Sequence, residues 1–286
     1  MADITTAFVK QFGANVQHLA QQKGSRLRNA VRVETGVTGE EEYFDQLGET
    51  AAVRKTTRNS DTPLVKSDHQ RVRVAMYDYE WADLIDKEDK LKMLIDPESS
   101  YAQSAAWALG RSIDDAIIDS ASGTSYRGKA GGTATTLPTA QKVTASSAGL
   151  NIVKLLAAKK TLDNADVDPE EPRYIAVTAE QIEDLLNITE VKSADYNTIK
   201  ALAMGQIDTF LGFKFLLCNR LDLDGSSNRL VIAWAQTGLL LALSKEITSR
   251  IDQRADKSYS TQVYVSMSIG ATRMEEERVI EIACQE

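Results

Sequence analysis

Between Asp96 and Gly123 the chain reads DPESSYAQSAAWALGRSIDDAIIDSASG, and its apolar residues recur with a period of about 3.6 residues. Ala102, Ala105, Ala106, Leu109, Ile113, Ala116 and Ile117 share one stripe. The spacing predicts a helix over 97–122. Asp96 stands at the N-cap and Pro97 at the first helical position, where a missing N–H costs nothing. Glu98 puts a carboxylate near the positive end of the helix dipole, and Gly123 is a natural stop. The stripe is rich in alanine, so a neighbour can approach it closely. Trp107 and Ile118 fall on another side, which predicts a helix touched from two directions.

A different period governs residues 42–79, which read as a long hairpin. Tyr43, Phe44 and Leu47 begin the outgoing side, and Val72, Val74 and Met76 alternate with Arg71, Arg73 and Tyr77 on the return. The centre, KTTRNSDTP at 55–63, is polar and turn-rich. From Lys55 to Asp68 the apolar residues are Leu64 and Val65. A lone two-stranded ribbon is marginal in water, so one this bare makes physical sense lying on another subunit.

The remaining pattern alternates helix and strand. Trp81–Leu94 predicts a short amphipathic helix, with a strand and turn as the alternative, and Gly- and Ser-rich Thr124–Thr136 reads as a loop. Ser147–Leu162 predicts a second helix with Leu150, Val153, Leu156 and Ala157 on one face. Arg173–Thr178 reads as a buried strand, and Thr178 with Gln181 forms a capping box for a helix through Leu186. Asn197–Met204 is another helical turn or two, Phe210–Cys218 is strand-like, and Leu230–Leu243 supplies a strand and a short helix. Residues 147–250 thus predict a mixed α/β unit closed on itself. Val263, Val265, Met267 and Ile269, then Ile280, Ile282 and Cys284, alternate as strands. By elimination their partners lie near the long helix and the hairpin base.

Composition narrows the class. The chain has 286 residues, 43% hydrophobic and 26% charged, as in an ordinary globular protein. A net charge of -8 argues against a surface devoted to gripping nucleic acid. No basic and apolar leader opens the chain, and the most apolar run, Leu230–Leu243, is too short to span a bilayer. Cys218 and Cys284 have neither metal-ligand nor disulfide spacing and read as reduced core residues in a cytoplasmic setting.

Charge is blocked along the first sixty residues. Lys23, Arg26, Arg28 and Arg32 follow Lys10 with no acidic residue between, and Glu34, Glu40, Glu41, Glu42, Asp45 and Glu49 follow them. The sign then returns at Arg54, Lys55 and Arg58. Such blocks are often plain solvated surface. The alternative makes the seven residues Lys23, Arg26, Arg28, Arg32, Arg54, Lys55 and Arg58 contacts to a neighbouring subunit.

Candidate chemistry is sparse. Gly123–Ala130 (GTSYRGKA) nearly fits the phosphate-cradling P-loop, but Ala130 lacks the hydroxyl that would hold Mg²⁺, and the segment follows a helix instead of a strand. The only histidines, His18 and His69, have no metal-spaced partners. Asp114, Asp115 and Asp119 read as a solvated or interface face of the long helix, and Asp222, Asp224 and Asn228 as turn chemistry. No catalytic constellation, cofactor site or metal site emerges, and the expectation is that the protein is not an enzyme.

Three segments together resemble the major capsid proteins of tailed bacteriophages: 96–123, GFKFLLCNRL at 212–221, and the ending GATRMEEERVIEIACQ from Gly270. The resemblance spans nearly the whole chain. It implies an α+β fold, the HK97-like capsid fold, with an N-terminal arm (1–41), an extended β-hairpin loop (42–80) and a peripheral domain (81–146) carrying a spine helix (97–122). It further implies a mixed α/β axial domain (147–258) and C-terminal strands (259–286) that return to the peripheral domain. The implied function is structural: a subunit that assembles with itself, as pentamers and hexamers, into an icosahedral shell around double-stranded DNA. The implied partners are a separate scaffolding protein and a portal, with no membrane, and the implied location is the virion, assembled in the host bacterial cytoplasm. An encapsulin-type nanocompartment shell and, more remotely, a P-loop nucleotide-binding enzyme stand as alternatives. Gene neighbourhood would separate the two shells.

Overall fold

A computed structural model describes residues 21–59, 61–85, 98–187 and 209–286. In chain order the strands begin with β1 (Arg32–Thr35), β2 (Glu41–Leu47), β3 (His69–Ala75) and β4 (Tyr77–Ile85). The long helix α1 (Glu98–Ser122) is followed by β5 (Ser125–Arg127), β6 (Thr133–Thr135) and β7 (Lys142–Val143). Then come α2 (Ile152–Asn164), β8 (Arg173–Val177), α3 (Ala179–Asn187), β9 (Thr209–Phe210), β10 (Phe213–Leu217) and β11 (Asn228–Ala235). Two long strands, β12 (Leu239–Arg254) and β13 (Ser260–Arg273), precede the last, β14 (Val279–Gln285). The chain divides into two compact units, Met1–Ser25 with Asp78–Ser112 and Lys245–Ser268, and Arg26–Tyr77 with Ile113–Ser244 and Ile269–Glu286.

The strands make three sheets, ordered β1-β12-β13-β4, β7-β14-β11-β8-β10-β9 and β2-β3-β5-β6. The six-stranded sheet is the heart of the second unit. Its central strands are buried on both faces, so their sequences read as nearly unbroken apolar runs. Ile175, Ala176, Val177, Val231, Ala233, Val279, Ile280 and Ile282 are all fully enclosed. Cys218 and Cys284 are buried free thiols, and burial pushes the Cys284 thiol up to about 11.

α1 is 25 residues long, and Ala105, Leu109, Ile113 and Ile117 of the sequence-derived stripe are buried. The predicted N-cap, Asp96, and Pro97 lie outside the described residues. A second approach is present as well. A Cβ on Gly110 would sit 2.6 Å from the Gly24 Cα, so only glycine admits the chain segment that crosses there. Beside it the Lys23 ammonium lies 5.5 Å from the Trp107 ring centroid, and Arg111 donates to the Gln21 side chain and the Gln22 carbonyl. The capping box also forms, the Gln181 side-chain oxygen accepting from the Thr178 N–H at 2.9 Å.

Four expectations are corrected. Trp81–Ile85 takes the alternative reading, strand in place of helix, because β4 lies along β13, where the Tyr264 hydroxyl donates to Glu80 at 2.8 Å; residues 86–94 lie outside the described residues, as do 197–204 and His18. Thr124–Thr136 is a hairpin, β5–β6, that joins β3 through Val72↔Arg127 and Arg73↔Tyr126. Helix α2 is rotated from the expected face: Leu155, Ala158 and Leu162 point inward, whereas Val153 and Leu156 are exposed. Lys154 explains the error, since this buried lysine donates to the carbonyls of Ala148 and Ala283 and lies on the apolar side. Lastly, residues 147–250 are not closed on themselves. β14 inserts between β7 and β11, in register from Val279↔Trp234 to Asn228↔Gln285, and is buried on both faces.

Candidate assembly surfaces

The hairpin has a buried base and a bare end. β2 and β3 pair from Glu41↔Ala75 to Leu47↔His69, and the Gly48 N–H closes on the Asp68 carbonyl at 2.8 Å. At the base, Val72 and Val74 join Val37, Leu240, Ala242 and Met274 in one apolar cluster, with Phe44 and Met76 packed on it. On the outer face Arg71 pairs with Asp45 and Arg73 with Glu41, and the Arg73 guanidinium stacks 4.7 Å from the Tyr126 ring centroid. The Arg71 guanidinium holds the Asp45 carboxyl below the usual carboxylate range. Gly131, at φ 60, lets the β5–β6 turn lie against Arg73, since a Cβ there would meet the Arg73 Cδ at 2.6 Å. Beyond Gly48 the described residues of the loop form no strand, and Leu64 is 94% exposed, with Leu47 and Val53 exposed too.

The seven basic residues do not gather in one place. Arg54, Lys55 and Arg58 are together, exposed, on the loop end, and ion pairs among the described residues include none of them. Arg32 pairs with Glu34 on its own strand, and half-buried Arg28 sits in the turn Arg28–Ala30. Lys23 lies over Trp107 and Arg26 donates to the Leu217 carbonyl at 2.6 Å. Part of the acidic block is therefore answered within the chain: Glu34, Glu41 and Asp45 already have arginine partners.

Charge patterning also hid how firmly residues 26–35 are held. Leu27, Ala30 and Val31 are buried, and β1 runs parallel to β12 from Arg32↔Leu240 to Thr35↔Leu243. The Trp234 indole donates to the Ala30 carbonyl at 2.8 Å. Asp114 is not on a solvated face; it is fully enclosed, and its carboxylate accepts the Leu27 N–H at 3.0 Å and the Arg26 N–H at 3.0 Å. A buried carboxylate is stable there because it satisfies backbone donors that would otherwise be orphaned. Asp114→Ala is expected to destabilise the subunit by about 1–3 kcal/mol, read in a urea melt, by leaving those donors unpaired. A change within error would remove Asp114 as the anchor. Its neighbour Asp115 pairs with Arg220, and burial together with Asp222 and Asp115 pushes the exposed Asp119 carboxyl up.

The P-loop resemblance fails on geometry. Gly123–Ala130 leaves a helix and enters the β5–β6 hairpin, so no helix N-terminus faces a phosphate there. His69 is an exposed residue at the start of β3, Asp224 serves its own turn by accepting from Ser226 and Asn228, and the described residues hold no acidic, His or Cys cluster suited to a metal. No described helix is long and apolar enough to cross a membrane.

Comparison with known proteins decides the matter. The family model described as phage capsid protein matches residues 4–286. This chain belongs to the phage capsid protein family. The capsid subunit also shares its fold with solved shells. The capsid of the Cyanophage P-SCSP1u matches with a TM-score of 0.77 at 17% identity, over 100% of this chain and 95% of that one. The capsid of Ralstonia phage GP4 gives 0.74 at 12% identity over 97% and 95%. The capsid of a native GTA particle gives 0.71 at 12% identity over 100% and 98%. No curated protein matches significantly. The fold is thus the HK97-like capsid fold and the role that of a major capsid subunit, a structural protein of the virion. The encapsulin and nucleotide-enzyme alternatives are not favoured.

One buried device in the capsid subunit has no signature in the sequence. Arg273 is fully enclosed and donates to the carbonyls of Ala121 and Gly123 at 2.8 Å and of Thr135 at 3.0 Å. It thereby closes the C-terminal end of α1 and ties it to β6. Glu276, also buried, receives Arg127 at 2.6 Å and Ser125 at 3.2 Å, and lies 3.7 Å from the Arg273 Nε. Arg127 further donates to the Met274 carbonyl and to Gln70 of β3. Desolvation lowers the Arg273 pKa, and Glu276 opposes that shift.

Proposed function

We propose that this capsid subunit closes into an icosahedral shell of pentamers, with hexamers in all but the smallest shells, and that residues 48–68 clasp a neighbouring subunit. The division implied by the family is an arm (1–41), an extended loop (42–80), a peripheral domain (81–146), an axial domain (147–258) and C-terminal strands (259–286) that return to the peripheral domain. The observation that carries the reading is the contrast along the hairpin, whose base is enclosed while Leu64 stands 94% exposed at its far end. Such an end contributes little to the fold of one chain and much to a contact between chains. Arg54, Lys55 and Arg58 would meet acidic residues of the neighbour in the stretch from Asp78, where Asp78, Glu80 and Asp83 are exposed. Each such pair contributes on the order of 0–1 kcal/mol, but a shell repeats it at every subunit. Lys23, Arg26, Arg28 and Arg32 would add contacts from the arm side.

The shell encloses double-stranded DNA without reading its sequence, assembles in the host bacterial cytoplasm on a separate scaffolding protein, and incorporates a portal. The net charge of -8 fits a container better than a DNA-gripping surface. Purified subunit supplied with its scaffolding protein is expected to form closed particles, seen by light scattering and negative-stain microscopy. A persistent monodisperse monomer under those conditions contradicts the proposal.

A further inference from the structure

Helix α2 turns a stripe away from the sheet it covers. Val153 is 73% and Leu156 48% exposed, and Lys160 continues the same stripe at helical spacing. The opposite side already fills the core with Leu155, Ala158 and Leu162, so the exposed pair is not needed for packing within the chain. The sign of charge beside it is positive, from Lys159 and Lys160. Helix α3 of the same unit, AEQIEDLLN, has three acidic residues and no basic one, and Glu180 and Glu183 are exposed. Its third carboxylate, Asp184, is engaged within the chain by the Leu150 N–H at 3.0 Å. Ion pairs among the described residues include neither Lys160 nor Glu183.

We propose that Val153, Leu156 and Lys160 of α2 dock on the Glu180–Glu183 face of α3 in a second copy of this chain. An exposed apolar pair flanked by charge of one sign, with charge of the other sign on the neighbouring helix α3, suits a contact in which α2 of one copy meets α3 of the next. Such a contact is heterologous, the type that builds a ring where its rotation closes, and rings are the units from which shells are built. The inference rests on the reading of the chain as a self-assembling subunit, and deepens it by naming a ring contact independent of the extended loop.

The test uses the full chain with its scaffolding protein. Val153→Asp/Leu156→Asp is expected to keep the circular dichroism and melting temperature of the unassembled subunit and to lose rings and shells. Lys160→Glu is expected to lower particle yield, and adding Glu183→Lys in the same chain to restore it. Normal shells from the double aspartate variant, with wild type assembling beside it, overturn the docking while leaving the shell reading intact. Wild type that never assembles overturns the shell reading, and the docking with it. A marked fall in the melting temperature of the unassembled double variant shows that the chain covers its own stripe and overturns the proposal. Failure of Glu183→Lys to rescue Lys160→Glu overturns the assignment of α3 as the receiving surface.

Discussion

Replacing residues 55–68 by a short Gly/Ser turn is expected to leave the melting temperature of the unassembled subunit nearly unchanged and to abolish or distort its shells. The reason is where the hairpin spends its apolar residues. Val72 and Val74 sit in the cluster with Leu240, Ala242 and Met274, and the replacement leaves them all in place. The β2–β3 register, which ends at Leu47↔His69, lies below the cut, and of its closure only the single Gly48–Asp68 hydrogen bond goes with the replaced segment. What is removed is exposed: Leu64, Val65 and the basic residues Lys55 and Arg58. Ordering an exposed loop costs conformational entropy that its own contacts do not return, so its stabilisation must come from a neighbour. Particles are counted by negative-stain microscopy and melting is followed by circular dichroism. Normal particles from the shortened chain, or outright unfolding of the unassembled subunit, would each show that the loop is not a clasp between subunits.

The second large effect is expected inside a single chain. Arg273→Ala should destabilise the subunit by about 3–5 kcal/mol, because it empties a fully enclosed side-chain site and leaves three carbonyls without their donor. Arg273→Lys should recover only part of this, since a single ammonium cannot reproduce the guanidinium fork that reaches Ala121, Gly123 and Thr135 together. Glu276→Gln added to Arg273→Ala should cost less than the sum of the two single changes, because the two residues lie 3.7 Å apart in one network with Arg127. Chemical denaturation of the unassembled variants measures all three. A loss under about 1 kcal/mol for Arg273→Ala would mean that solvent or rearranged side chains replace the guanidinium easily. The cluster also reaches the loop: Arg127 bridges Glu276 and Gln70, so damage here is expected to loosen the hairpin base and lower assembly along with stability.

How much of this was legible beforehand depended on the range of the interaction concerned. The period of apolar residues in 97–122 determined α1 and most of its buried stripe. Alternation in 70–76 and the bare stretch 55–68 determined a hairpin with an enclosed base and an exposed end. Thr178 and Gln181, three residues apart, determined a capped helix start. Each of these rests on contacts between residues close in the chain or on a simple count of apolar side chains. The resemblance of three segments to phage capsid proteins carried the fold class and the structural role.

Tertiary structure decided the rest. Trp81–Ile85 opens the charge-laced run Trp81–Leu94 that reads as a helix, and is a strand because β13 lies alongside it. Thr124–Thr136 has little apolar content, and its hairpin exists because β3 offers an edge for β5. Lys154 looks like a surface residue until the carbonyls of Ala148 and Ala283 receive its ammonium, and that single burial rotates α2 and exposes Val153 and Leu156. Ile280 and Ile282 say that a strand is present but not which sheet it enters, since an apolar strand pairs with any open edge of matching register. Asp114 and Arg273 are the extreme cases. A charge is hidden in a core only when partners 87 and 152 positions away supply its hydrogen bonds, and no local pattern records a partner at that distance.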